Sequence, residues 1–219
     1  MKLFYSSRSP YVRFVMIAAH EAGVQDRLEL DPTLVNIEAP HPVLFDHNPL
    51  CKIPTLLLDD GSAIFDSRVI AEYLDSIGGG SLLPQTSPPR LTELRRTALG
   101  IGLVDLLLSW LLERNRPEAK QQPAIIAALG LKYAKVLDEL EALAKQLASE
   151  PFRMGHVAIG TALSYSDFRF PALDWRAGRP ALAAWHQSFE ARPSYQSDPF
   201  FDEIAAAAIA AQAAEQPAR

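Results

Sequence analysis

The hydrophobic periodicity of this chain changes once, near residue 78, and that change restricts its architecture more than any single residue does. Before it, strand-like and helix-like stretches alternate. Residues 1–5 are an apolar run, and from Pro10 the residues Val12, Val15, Met16 and Ala19 recur at helical spacing until Gly23. A brief alternation covers 27–30, and the Pro-containing stretch 31–49 holds only a weak helical signal around 37–45. Ile53-Pro54-Thr55-Leu56-Leu57-Leu58 and Ala63-Ile64-Phe65 flank Asp59-Asp60-Gly61-Ser62, which reads as a hairpin turned by Asp-Gly. A second helical pattern puts Val69, Ile70, Tyr73, Leu74 and Ile77 on one face and stops at Gly78-Gly79-Gly80. The order is therefore β-α-β followed by β-β-α. A parallel pair needs a right-handed crossover through the first helix, and the hairpin adds antiparallel strands to the same sheet.

After the break no strand pattern remains. Residues 78–89 are rich in Gly, Ser and Pro, and beyond them helical patterns run over 91–113, 124–149, 157–170, 181–191 and 202–214, punctuated by Pro123, Pro180 and Arg192-Pro193. The reading is an α+β chain: a small α/β unit at 1–78, a linker at 79–89 and an all-helical unit at 90–219. The 219 residues, 48% of them hydrophobic, suffice for two cores. Residues 98–112 form the most apolar helix, but Asp105 interrupts it and it is shorter than the roughly 20 residues a bilayer requires. It is expected to be buried, and no membrane partner is expected.

A net charge of −5 gives no basic field for nucleic acid. One cysteine excludes an internal disulfide framework and suits a reducing cytoplasm, and the start of the chain lacks the long apolar stretch of a signal peptide. The histidines show no ligand spacing, so no metal is expected.

Chemistry points to the junction between the first strand and the first helix. Ser9 is a good N-cap, Pro10 suits the first helical position, and unpaired N–H groups with the positive end of the helix would face an anion beside Ser9. Alone, Ser9 would be read as a cap and nothing more.

Other residues change that weighting. Ser9-Pro10-Tyr11-Val12-Arg13, Asn48-Pro49-Leu50-Cys51-Lys52-Ile53-Pro54, Phe65-Asp66-Ser67-Arg68, Glu72-Tyr73-Leu74-Asp75, and the segments Asp167-Phe168-Arg169, Asp174-Trp175-Arg176 and Arg192-Pro193-Ser194 stand in one order and spacing. Together they resemble the soluble glutathione S-transferase family. The resemblance implies a thioredoxin-like N-terminal domain, an all-helical C-terminal domain, and a cytoplasmic, homodimeric detoxification enzyme that uses glutathione as co-substrate. It conjugates the glutathione thiolate to a small hydrophobic electrophile. A glutathione-dependent reductase or peroxidase and a non-catalytic binding or regulatory protein of the same fold are the alternatives.

The resemblance also assigns tasks. Ile53 and Pro54 match the hydrophobic-Pro pair whose cis proline follows the backbone that meets the cysteinyl part of glutathione. Asp66 and Ser67 match the pair that holds the γ-glutamyl end, and Lys52 matches a position facing the glycine carboxylate. Ser9 matches the activating serine. A free thiol is only ~3% ionised at neutrality, and lowering its pKa by about two units takes roughly 2.7 kcal/mol. A hydroxyl donating to a charged acceptor contributes about 1.5 to 3 kcal/mol and a helix N-terminus about 0.3 to 1, so one serine there is sufficient.

Tyr5 is the rival, because other classes use a tyrosine at the end of the first strand; Ser6 and Ser7 are weaker candidates. Arg8, Tyr11, Trp110 and Tyr165 are candidates for the second-substrate pocket. Cys51 stands where the family commonly has glycine and would strain the loop if the position needs positive φ. Arg153-Met154-Gly155-His156 replaces a Ser/Thr-x-x-Asp capping box and is not expected to form the reciprocal pair.

Overall fold

The computed structural model describes residues 1–35 and 39–203. Strands β1 (Lys2–Tyr5), β2 (Glu29–Pro32), β3 (Thr55–Leu57) and β4 (Ala63–Ile64) form one mixed sheet in the order β2-β1-β3-β4. β1 and β2 are parallel with Leu3 opposite Leu30. β1 and β3 are antiparallel with Leu3 opposite Leu56, as are β3 and β4 with Leu56 opposite Ile64. Helix α1 (Pro10–Glu21) makes the crossover, α2 (Pro42–His47) lies in the connection to β3, and α3 (Ser67–Ile77) follows the hairpin. This is the α+β layer read from the sequence; the weak signal at 37–45 meets the short α2 only from Pro42 on, and its residues 37 and 38 lie outside the described residues.

The helical unit consists of α4 (Pro89–Arg114), α5 (Pro123–Ser149), α6 (Met154–Arg169), α7 (Pro180–Glu190) and the short α8 (Pro193–Gln196). The helix expected over 202–214 falls almost wholly outside the described residues, and α8 carries no periodic signal long enough to read.

One core joins the two units. Leu3, Phe14, Val15, Ile17, Leu56, Ile70 and Leu74 pack with Ile101, Met154, Val157 and Ala158 of the helical unit, so α1 is held between the sheet side and α6. The buried face of α3 is Ile70, Ala71 and Leu74; Val69, expected on that face, is half exposed. Helix α6 is buried from Met154 to Ser166, as its apolar, small-residue composition on all sides requires. It crosses α4 closely at Gly100, where a Cβ would lie 2.5 Å from the carbonyl carbon of Ala158.

Two polar anchors hold this arrangement. The linker is pinned by the buried Asp75 carboxylate, which accepts from the N–H groups of Leu82 at 2.8 Å and Leu83 at 2.9 Å. At the start of α6, arginine has no acceptor and cannot supply one half of a capping box. The other half forms after all: the Arg153 N–H donates to His156 Nδ1 at 3.2 Å. Glu93 of α4 takes the place of the missing cap, accepting from the Gly155 N–H at 3.0 Å.

Candidate active site

The sheet topology gathers the candidate residues at one edge. β1 and β4 are both antiparallel to β3 and so run the same way. Their carboxyl ends therefore share an edge with the start of β3. From that edge β1 leads to Ser9 and α1, β4 leads to Asp66 and α3, and Ile53-Pro54 enters β3. The Ile53–Pro54 bond is cis. The Asp66 charge adds to the rise of the Tyr11 hydroxyl pKa, after burial and the bond to Asp105.

Ser9 is the N-cap of α1, with extended backbone and a half-exposed side chain. Its Oγ accepts from the Val12 N–H at 3.3 Å, and its carbonyl accepts from the Arg13 N–H at 3.0 Å. A hydroxyl has one proton to give and two lone pairs to offer. Capping uses a lone pair and leaves the Ser9 proton available to a ligand.

Tyr5 is placed differently. Its hydroxyl donates to Asp198 at 2.5 Å, and burial, then the hydrogen bond to Asp198 and its charge, drive the phenol pKa well above its ordinary value. The Ser6 hydroxyl donates to Glu203 at 3.2 Å; Ser7 donates to Glu203, with the Phe201 carbonyl 2.8 Å from the same hydroxyl. The three rivals of Ser9 are thus paired with one segment, residues 198–203.

Asp66 is the N-cap of α3, which begins at Ser67. One carboxylate oxygen accepts from the Arg68 N–H and the other from the Arg68 guanidinium, both at 3.0 Å. Burial pushes the carboxyl up, but these bonds and the Arg68 charge outweigh it and hold Asp66 below the usual carboxylate range. Ser67 is buried, in the first turn of α3, and Lys52 is exposed. The Lys52 carbonyl is fixed by the Asn48 amide at 3.1 Å and the Thr55 hydroxyl at 2.8 Å, which together hold the loop before β3.

The family model described as "Glutathione S-transferase, N-terminal domain" matches residues 8–77, and the one described as "Glutathione S-transferase, C-terminal domain" matches residues 123–188. The chain is 30% identical over 200 residues to the uncharacterized GST-like protein YibF of Escherichia coli (strain K12), covering 89% of this chain and 96% of that protein. This chain belongs to the glutathione S-transferase family. A crystal structure of a family member from Pseudomonas fluorescens Pf-5 with bound glutathione is 36% identical, with a TM-score of 0.88 over 92% of this chain and 99% of that one. Another structure of a family member from that organism, with bound S-(propanoic acid)-glutathione, is 35% identical, with a TM-score of 0.82 over 91% and 99% of the two chains.

Within this glutathione transferase fold, three of the four second-substrate candidates cluster. Tyr11 donates its hydroxyl to Asp105, its pKa raised by burial and then by that carboxylate. Tyr165 is buried, and the charges of Arg169 and Arg8 act on its hydroxyl. Trp110 instead packs edge-on against Tyr133 of α5, at 5.9 Å between ring centres, and against Phe170 at 5.4 Å.

Cys51 has φ of +49°, the left-handed backbone that glycine would adopt without strain. Its sulfur accepts from the His41 N–H at 3.1 Å.

Sequence spacing also hid a polar group in the helical unit. Asp167, His186 and Glu190 bring ligand-type atoms within 4.8 Å of one another. The Asp167 carboxylate accepts from Trp175 Nε1 at 2.8 Å and from Arg176 at 2.7 and 2.8 Å, and Arg176 also lies 3.4 Å from His186. A guanidinium already supplies the positive charge there, so the group is a structural ion-pair network. Asp198, Asp202 and Glu203 are the site neighbours that the sequence reading missed. Nothing local marks them, because their partners lie more than 190 positions away for Tyr5, Ser6 and Ser7.

Proposed function

We propose that this protein is a glutathione transferase in which Ser9 donates a hydrogen bond to the sulfur of bound glutathione, stabilising the thiolate that attacks a small electrophile. The γ-glutamyl ammonium meets Asp66, its carboxylate meets the N-terminus of α3 at Ser67, the cysteinyl backbone pairs with Ile53 ahead of the cis Pro54, and Lys52 faces the glycine carboxylate. The enzyme acts as a cytoplasmic homodimer. The observation that carries this reading is the division of labour among the hydroxyls: Tyr5, Ser6 and Ser7 give their protons to carboxylates, while Ser9 accepts from Val12 and, among the described residues, donates to none. The S-substituted glutathione held by a relative supports S-conjugation as the chemistry.

The test is a pH titration of the ultraviolet thiolate absorbance of bound glutathione. The wild-type complex is expected to ionise about two units below the free thiol, and Ser9→Ala to return one to two of those units, the value of one hydroxyl bond to a charged acceptor. A bound thiol that stays protonated at neutrality, or a Ser9→Ala complex that titrates like wild type, overturns the assignment.

A further inference from the structure

Two guanidinium groups share a carboxylate beside the Ser9 junction, and a third lies next to one of them. Arg8, the residue before Ser9, places Nε 3.1 Å from Asp202 Oδ1, and Arg169 at the end of α6 donates to Asp202 Oδ2. Arg169 lies 4.2 Å above the Phe168 ring, which stacks on Phe200 at 5.0 Å. Arg114 at the end of α4 lies 4.3 Å above Phe170 and donates to the Arg169 carbonyl at 3.0 Å. The charges of all three act on the hydroxyl of Tyr165, a buried residue. The Nε atoms of Arg8 and Arg169 are buried and carry N–H groups without hydrogen-bond alignment to any acceptor among the described residues.

Planar guanidinium forks match a carboxylate in two-point fashion, and a cluster of them walled by aromatic rings strengthens that match by excluding water. In this structure the cluster holds a carboxylate of the chain itself. Asp202 reaches it because residues 198–203 fold back over the opening loop, the Phe201 N–H donating to the Ser7 carbonyl at 3.3 Å. Among the described residues, the acids that face these arginines and the adjoining loop are Asp202, Asp198 at Tyr5, Glu203 at Ser6 and Ser7, and Asp105 at Tyr11.

Resting on the glutathione reading above, we propose that the second substrate carries a carboxylate, which Arg8 and Arg169 receive in the place Asp202 fills here. Asp202 is then an internal surrogate for that group, and the 198–203 segment gives way when substrate enters. The arginines select the acceptor while Ser9 activates the thiol, and the two tasks fall on neighbouring residues.

The experiment compares binding to the full chain of glutathione, S-(4-carboxybenzyl)glutathione and its neutral counterpart S-(4-carbamoylbenzyl)glutathione, by titration calorimetry. The acid conjugate is expected to bind at least about tenfold tighter than the amide, the value of one charge-assisted pair. Arg169→Gln should abolish that preference and leave glutathione affinity within about twofold; Arg8→Gln, at the more exposed arginine, serves if Arg169→Gln does not fold. Asp202→Asn should strengthen the acid conjugate selectively by removing its competitor. If glutathione binds and the acid conjugate is not preferred, or the preference survives in both arginine variants, the carboxylate proposal falls and the glutathione reading stands. If glutathione itself does not bind, both fall.

Discussion

The Tyr5 hydroxyl donates to the Asp198 carboxylate, 193 positions later in the chain, and so ties the end of β1 to the segment that follows α8. Burial raises the Asp198 carboxyl above its usual range, with the Tyr5 bond and the Arg13 charge working against it. The Arg13 guanidinium lies 4.5 Å from the centre of the Tyr195 ring and 4.9 Å from that of Phe200, so the same contact region positions the segment carrying Asp202. Tyr5→Phe should therefore act on stability: about 1 kcal/mol is expected from loss of a hydrogen bond to a carboxylate that stays partly buried. The pH titration of bound glutathione should not move. A thiol pKa that rises in Tyr5→Phe as far as in Ser9→Ala would make Tyr5 the activating hydroxyl.

Asp66 has two tasks that one substitution separates. Asparagine caps a helix about as well as aspartate but brings no charge to an ammonium group. Asp66→Asn is expected to change unfolding free energy by less than about 0.5 kcal/mol, since the exposed Arg68 pair contributes little. Glutathione affinity should fall about tenfold, as for loss of a charge-assisted bond. The control is a glutathione analogue lacking the γ-glutamyl amino group, which should bind wild type and Asp66→Asn alike. Equal loss for both ligands would assign Asp66 to the cap alone.

At Cys51 the backbone favours glycine while the sulfur has two weak contacts, both with the His41 backbone. The left-handed conformation costs a side-chain-bearing residue roughly 1 to 2 kcal/mol. Against this stands the bond from the His41 N–H to sulfur. Cys51→Gly should stabilise the protein by up to about 1 kcal/mol in urea unfolding and leave glutathione chemistry intact. Loss of reductase activity in this variant, with conjugation untouched, would instead give Cys51 a redox task.

What could be read in the sequence was local or repeated. Ser9 and Asp66 were legible as caps because a cap is written within four residues, and the hairpin and the long helices because each is contiguous; their place in a site and the cis bond before Pro54 came only from the family resemblance. Positive φ at Cys51 was readable from the glycine expected there. Val69 was misplaced on the core face of α3 because a helical stripe tolerates a shift of one position, and the sheet and α1 settle which residues meet the core. The segment 198–203 was invisible as part of the site, since its acids reach Tyr5, Ser6, Ser7 and Arg8 only once α8 has brought the chain back. The same applies to Glu93 at the start of α6, where a helix cap is supplied from another helix.

His186 makes stability depend on pH in a range where few other side chains titrate. It is fully buried, 3.0 Å from the Ser164 hydroxyl, stacked on Phe189 and edge-on to Trp175. Burial drives its pKa from 6.5 down to about 4, with the Arg176 charge adding to the shift and Asp167 opposing it. The unfolded chain therefore takes up a proton near 6.5 that the native protein refuses until about 4, so stability is complete above that range and declines as pH falls through it. The full difference corresponds to roughly 3 kcal/mol, reached below the native pKa. His156, also lowered by burial, adds a slope of the same sign. Urea unfolding at intervals between neutrality and the native pKa should show this decline, and His186→Gln, less stable at neutrality through lost packing, should show a shallower one. A His186→Gln protein with the wild-type slope would place the proton uptake elsewhere.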